Sequence, residues 1–416
     1  NNNNNFQASD NDNNNCALIK KKSVTFSVIT DIFENLIEKI VKLLKSSNKN
    51  TFQGGLNLLN NLALPASLEI IRDLDKIKPN LNEILEKNIS NFNLLIFEFF
   101  NKLLKSISFN KCIIPHLDDF INWMIKGLKN NFYKINIESS KMASQIIRIL
   151  HEVFSEEEIK PKLNLINSEI IPIFQQNDLD HDFKTSIITT ASNILFYMLK
   201  ILDEKITEKF FEVFLEKFKN ENLVISCISL LIKILQEQSN IQYLSNSLKK
   251  FLPLIVELMK KKDQSLIQSA IDFLCCIIKY FPKSVVGYEN ILIENLLEFS
   301  FDENFICNLY DTLTLIVKNF NFKHDLIDKT IHNSIKVLEN PKFTTKEKTA
   351  EAILNFNFTC STNLNFEEGY IDKLIKELLN YELINPNKSK LISYYSKNVN
   401  NSINLIKKLL IDFKAN

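Results

Sequence analysis

The sequence predicts an all-α protein, a superhelical solenoid of stacked antiparallel helix pairs, and three observations carry that prediction. The first is periodicity. Between Ile113 and Leu150, the residues Ile114, Leu117, Phe120, Ile121, Met124 and Leu128 fall on one helical face, and Ile135, Met142, Ile146, Ile149 and Leu150 on a second. Only Lys129, Asn130 and Asn131 separate the two runs, and so short a connection forces the helices antiparallel and side by side. The second is recurrence. Polar turns at Lys129–Asn131, Asn177–Asp182, Lys219–Asn222, Lys261–Gln264, Phe301–Asn304 and Asn340–Thr345 follow at steps of about 40 to 48 residues, beside roughly 40 to 47 for two-helix HEAT repeats. The third is glycine content: five in 416 residues leave few positive-φ positions for tight hairpins or phosphate-cradling loops. The class is a HEAT-type α-solenoid.

Composition narrows the function without naming it. Fifty Lys and Arg stand against 49 Asp and Glu, so no global field selects nucleic acid or an acidic membrane. Cys16, Cys112, Cys227, Cys275, Cys276, Cys307 and Cys360 form no CxxC and read as reduced, mostly buried thiols of an intracellular protein. No uncharged run of 18 residues and no signal peptide are found. The expectation is a soluble protein of the cytoplasm, the nucleus or both. The chain opens on Asn1 rather than Met, which reads as a piece of something longer.

In chain order, residues 1–22 are an Asn-rich tail ending in Lys20-Lys21-Lys22, too polar to offset the entropy of ordering. Residues 23–90 read as irregular helical repeats. A first helix over 24–44 has Thr30 and Asp31 as caps, Gly54-Gly55 interrupts, and Pro65 and Pro79 open short helices at 66–77 and 80–89. Residues 91–360 hold the regular repeats: a helix at 92–108, then pairs 113–129 with 132–154, 164–176 with 182–202, 205–219 with 223–238, 247–261 with 264–280, 286–300 with 304–320, and 325–339 with 345–358. Residues 361–416 form a last pair, 369–381 with 387–412. Pro115, Pro172 and Pro253 are placed near helix starts, where a missing N–H costs little. Small residues in the second helices, Ala143, Ala191 and Ala270, let helices approach.

Some of these residues also carry a family resemblance. NNFYKINIESSKMASQIIRIL, Asn130 to Leu150, resembles the Asp-Pro-Phe-Tyr-Lys-Ile-x-Ser-Glu segment of the cullin-associated, neddylation-dissociated proteins, HEAT-repeat exchange factors of cullin-RING ubiquitin ligases. Phe132, Tyr133, Lys134, Ile135 and Glu138 match, and Asn130-Asn131 replaces Asp-Pro. NDLDHDFKTSIITTASNIL, Asn177 to Leu195, is similar to the family's Asp-Ile-Asp-Gln-Glu-Val-Lys-Glu-Arg-Ala-Ile-Ser repeat, and FLEKFKNE, Phe214 to Glu221, to its Phe-Leu-Glu-Arg-Leu-Lys-Asn-Glu. Order and spacing agree, and Asp272-Phe273-Leu274 and Tyr280 to Ser284 follow more loosely. The resemblance covers about residues 90–320, and the family's C-terminal region with its adaptor-competing insertion has no counterpart in it. It implies a scaffold that wraps unmodified cullin and its RING subunit, opposes neddylation and helps substrate-receptor modules exchange.

No catalytic, cofactor or metal constellation emerges from the residues. His116 with Asp118 and Asp119 reads as an ordinary acidic helix start. Asp178, Asp180, His181 and Asp182 lack the glycine and distal glutamate of a calcium loop. Glu156-Glu157-Glu158 reads as a solvated loop, and Lys260-Lys261-Lys262 as a charged helix end. Lys134 and Lys184 hold the place where HEAT repeats carry a cation that pairs with an Asp of the adjoining turn, and Trp123 follows the core period. The expected partner is protein, with no nucleic acid, membrane or homo-oligomer. The surface offered is the second helix of each pair: 132–154, 182–202, 223–238, 264–280 and 304–320. A nuclear transport receptor or phosphatase scaffold is the alternative, because a solenoid does not specify its partner.

Overall fold

A computed structural model describes residues 32–106, 111–238, 241, 243–320, 324–339 and scattered positions from 348 to 360. The tail at 1–22, the caps Thr30 and Asp31, the turn at 340–345 and the pair 369–381 with 387–412 lie outside the described residues, as does most of 345–358. Everything regular among the described residues is helical. The chain divides into two compact units, one ending at Lys217 and the next beginning at Phe218.

The first unit holds α1 (32–44), α2 (Lys49–Leu62), α3 (Ser67–Arg72), α4 (Leu74–Lys87), α5 (Ser90–Ser106), α6 (Leu117–Leu128), α7 (Tyr133–Val153), α8 (Glu156–Gln175), α9 (His181–Met198) and α10 (Glu204–Lys217). Helices α6 and α7 pair, as do α8 and α9. The second helices α5, α7 and α9 lie on one another in a continuous row that α2 extends, while α6, α8 and α10 form the first-helix row. The second unit repeats the arrangement. It holds α11 (Glu221–Glu237), α12 (Leu244–Lys249), α13 (Leu252–Met259), α14 (Gln264–Tyr280), α15 (Glu289–Leu297), α16 (Ile306–Asn319) and α17 (His324–Glu339), with α11, α14 and α16 in its row.

The row forms because each second helix is apolar on more than one side and small where it is crowded. Ala143, Ala191 and Ala270 are fully buried. The repeat length is also written in the side-chain contacts. Trp123 Nε1 donates to Asn82 41 residues earlier, Asn130 bonds Asn88 across 42, Ser144 meets Thr190 across 46, and Cys276 Sγ reaches the Ile232 carbonyl across 44. One repeat back is one layer down in the stack.

Several boundaries differ from the sequence prediction, each for a local reason. Gly54-Gly55 lies inside α2 and does not interrupt it. A Cβ on Gly55 would sit 2.9 Å from that of Leu43, so the glycine admits α1 to close contact. Pro79 is internal to α4 rather than its start. Pro79 and Asp75, whose carbonyl loses its N–H partner, are both exposed, where water replaces the bond. Helix α8 begins at Glu156, so Glu156-Glu157-Glu158 is its acidic first turn and not a loop. Ser155 and Glu158 form a reciprocal capping box, and three carboxylates at a helix N-terminus are favoured by its dipole. That early start leaves Pro172 in the interior near the end of α8. The helix expected at 247–261 is two, α12 and α13. Pro253 stands in the first turn of α13 and cannot donate to the Lys249 carbonyl, which ends α12.

Candidate protein-interaction face

The second-helix row of the first unit is tied together by a polar ladder. Asn101 Nδ2 donates to both the Glu138 carbonyl and its Oε2 at 2.8 Å, and Lys141 pairs with the other Glu138 oxygen at 2.7 Å. The hydroxyls of Ser140 and Ser186 bond one another, Ser144 and Thr190 meet at 3.1 Å, and Thr190 Oγ1 donates to the Ser140 carbonyl at 2.8 Å. Two turns further along, the rings of His151 and Tyr197 lie 5.4 Å apart. The side-chain pairs Ser140–Ser186, Ser144–Thr190 and His151–Tyr197 are each 46 residues apart, so the two helices run parallel in constant register.

In the second unit Asp272 plays the joining part. Its carboxylate accepts from Gln268 at 2.9 Å and from Asn308 of α16 at 2.7 Å. Burial nonetheless raises its pKa, because these neutral donors offset only part of the desolvation. Burial likewise pushes the Cys276 thiol up to about 12 and raises Cys275. Thiols held protonated are packing groups rather than nucleophiles.

A second ladder runs along the turns, and it is not the one the sequence indicated. Neither Lys134 nor Lys184 enters an ion pair with the described residues. Asn136, in the first turn of α7, caps the end of α6 instead, its Nδ2 donating to the carbonyls of Gly127 and Leu128 at 3.0 Å and Asn130 at 2.8 Å. Asn88 accepts from Asn93 at 3.2 Å and Asn130 at 3.0 Å. Buried Lys217 donates to the Gln176 carbonyl at 3.0 Å and to Asn177 at 2.9 Å, holding the end of α8. A readable signal existed: asparagines stand at 88, 130 and 177, one in each successive turn.

The other singled-out residues disperse. His116 is buried at the start of α6, 3.7 Å from Asp75, while Asp118 and Asp119 pair with Lys162 and Lys78 of neighbouring helices. His181 and Asp182 are exposed, and Asp180 caps α9 through the Asp182 N–H. Lys260 to Lys262 follow the end of α13. Trp123 is buried, stacked on Phe100 with centroids 4.4 Å apart. Among the described residues no three His, Cys, Asp or Glu are grouped as a metal site, and no helix is long and apolar enough to cross a membrane.

The fold defines the class as a HEAT-repeat α-solenoid. No family model and no curated protein matches the sequence. Solved structures do match in fold. Kap95p, the yeast importin-β, in a structure concerning its binding of RanGDP, is 10% identical with a TM-score of 0.64 over 85% of this chain and 45% of its own. Importin-β crystallised from ammonium sulfate is 12% identical with a TM-score of 0.53, over 87% and 47%. The Kap95–Nup1 complex is 11% identical with a TM-score of 0.52, over 85% and 44%. This chain therefore spans less than half the length of each.

Proposed function

We propose that this chain is a protein-binding HEAT scaffold whose partner is an unneddylated cullin with its RING subunit, acting in the cytoplasm or nucleus on the assembly of cullin-RING ligases. The observation that carries the reading is where the family-like segments fall. Phe132 to Ile135 opens α7, Asp178 to Lys184 opens α9, and Phe214 to Glu221 joins α10 to α11. Two of the segments thus open second helices and the third runs from the end of a first helix into the turn after it, in the family's order. A face of repeated helices binds through large area and modest local affinity, which suits a regulator that must release its partner.

The importin-β likeness in fold supports a second reading, a nuclear transport receptor that binds a Ran-type GTPase. One experiment separates the two. The purified chain is mixed with unneddylated cullin–RING complex, neddylated complex, and the GTPase in its GTP and GDP forms. Selective retention of the unneddylated complex supports the first reading. Equal binding of both cullin forms, or none, overturns it, and GTP-selective capture of the GTPase establishes the second.

A further inference from the structure

Charge in the first unit is sorted by row. Helices α2, α5, α7 and α9 carry seven Lys and Arg against four Asp and Glu. The first helices α4, α6, α8 and α10 carry nine against thirteen. Towards the C-terminal end of α7 this row carries Arg148, with Glu152 the other charged residue of that stretch and none on the facing end of α9. Arg148 is half-buried, and its one hydrogen bond among the described residues runs from a terminal nitrogen to Gln145 at 2.7 Å. Its Nε is buried without an acceptor, and no carboxylate of the described residues pairs with it. One helical turn on, exposed His151 lies against half-buried Tyr197, whose ring meets that of Phe196 edge-on at 5.0 Å.

The buried Nε is out of a partner's reach, but of the two terminal nitrogens one is bonded to Gln145 and the other is left open among the described residues beside an aromatic step. Arg is suited to bidentate carboxylate, and a desolvated setting strengthens the bond. The rings supply apolar area with little entropy to lose. We propose that this face, centred on Arg148, His151 and Tyr197, docks an acidic segment of a protein partner. A carboxylate engages Arg148, and an apolar or aromatic side chain of the segment lies on the His151–Tyr197 step. The proposal deepens the protein-binding reading and rests on it.

The test uses the full chain and a short fluorescent peptide of alternating Glu and Phe. A Lys-and-Phe counterpart and a single-stranded oligonucleotide serve as competitors for the same face. The Glu peptide is expected to bind. R148E should weaken it about tenfold or more and Y197A several-fold, as for residues central to an interface. K126E, on exposed α6 surface, should leave it unchanged. Should R148E fail to fold by circular dichroism, R148Q keeps most of the stem and should still lose binding several-fold. Unchanged affinity in folded R148E or R148Q, equal binding of the Lys peptide, preference for the oligonucleotide, or no binding of the Glu peptide would each overturn the proposal. Failures are separable from those of the cullin reading. Retention of unneddylated cullin by a chain that ignores the Glu peptide removes this inference alone. Peptide binding lost in R148E with no cullin retained removes only the cullin partner.

Discussion

Asn167 and Asn136 show how little a residue's name says about its energetic sign. Asn167 is 2% exposed in α8, on the stripe of Leu163, Ile170 and Phe174, and neither its amide nitrogen nor its oxygen has a partner among the described residues. An unpaired buried amide costs about 1–3 kcal/mol. Asn167→Leu is therefore expected to stabilise the chain by roughly 1–2 kcal/mol, seen as a higher urea midpoint at unchanged slope. Asn136→Ala should act in reverse. It strips three carbonyls at the end of α6 of their donor and should cost about 1–2 kcal/mol. Asp272 adds a pH dependence. Its raised pKa means that the fold penalises the charged form, so its stabilising contribution is complete below the ordinary carboxylate value and is lost as pH rises through the raised one. Asp272→Asn keeps an acceptor for Gln268 and Asn308. Melting curves across pH should show the variant more stable near neutrality, by less than about 1 kcal/mol at this partly exposed site, with the difference vanishing in acid. A pH-independent difference would refute the assignment.

Glycines make the corresponding point at the scale of elements. Gly127, in α6, has no room: a Cβ there would fall 1.9 Å from Ser139 Oγ and 2.5 Å from Phe97 Cζ. Ser139 is bonded to the Ile135 carbonyl and Phe97 is buried, so neither yields easily. Gly127→Ala should lose about 1–3 kcal/mol despite the gain in helix propensity. Gly54, in α2, has nothing within 4 Å of the same atom, and Gly54→Ala should gain up to about 1 kcal/mol. Two thermal melts decide both, and equal shifts would show that packing is not the discriminator. The same contrast explains what was legible in the sequence. The pairing of α6 with α7 and of α8 with α9 could be read because periodicity and polar turns are local. The role of Gly54-Gly55 could not, since helix interior and break differ only in what α1 brings near. The Ser155–Glu158 box could have been read, since its spacing is local, but the charge run of Glu156 to Glu158 obscured it. Arg148 carries no signal in the sequence, because a lone cation acquires meaning only when α9 sets Tyr197 beside its neighbour His151.

At the scale of the whole molecule, stability should be transmitted layer by layer, since each helix pair in a solenoid touches only its neighbours. Trp123 offers the sharpest probe. It stacks on Phe100, meets Phe120 edge-on at 5.3 Å and donates to Asn82 at 2.7 Å, so it joins α4, α5 and α6 in one contact set. Trp123→Ala should remove about 3–5 kcal/mol locally. Hydrogen exchange in the native state should then accelerate in α4 to α7, where the lost contacts and their immediate partners lie. Exchange in α13 and α14 should be unaltered, because Phe251 at the start of α13 and Phe273 of α14 pack on each other and on Phe218. A uniform acceleration in both units would mean one cooperative block and would contradict a nearest-neighbour stack. If Trp123→Ala is too damaging to purify, Trp123→Phe keeps the ring stacking but deletes the donor to Asn82, and the same regional pattern should appear at smaller amplitude.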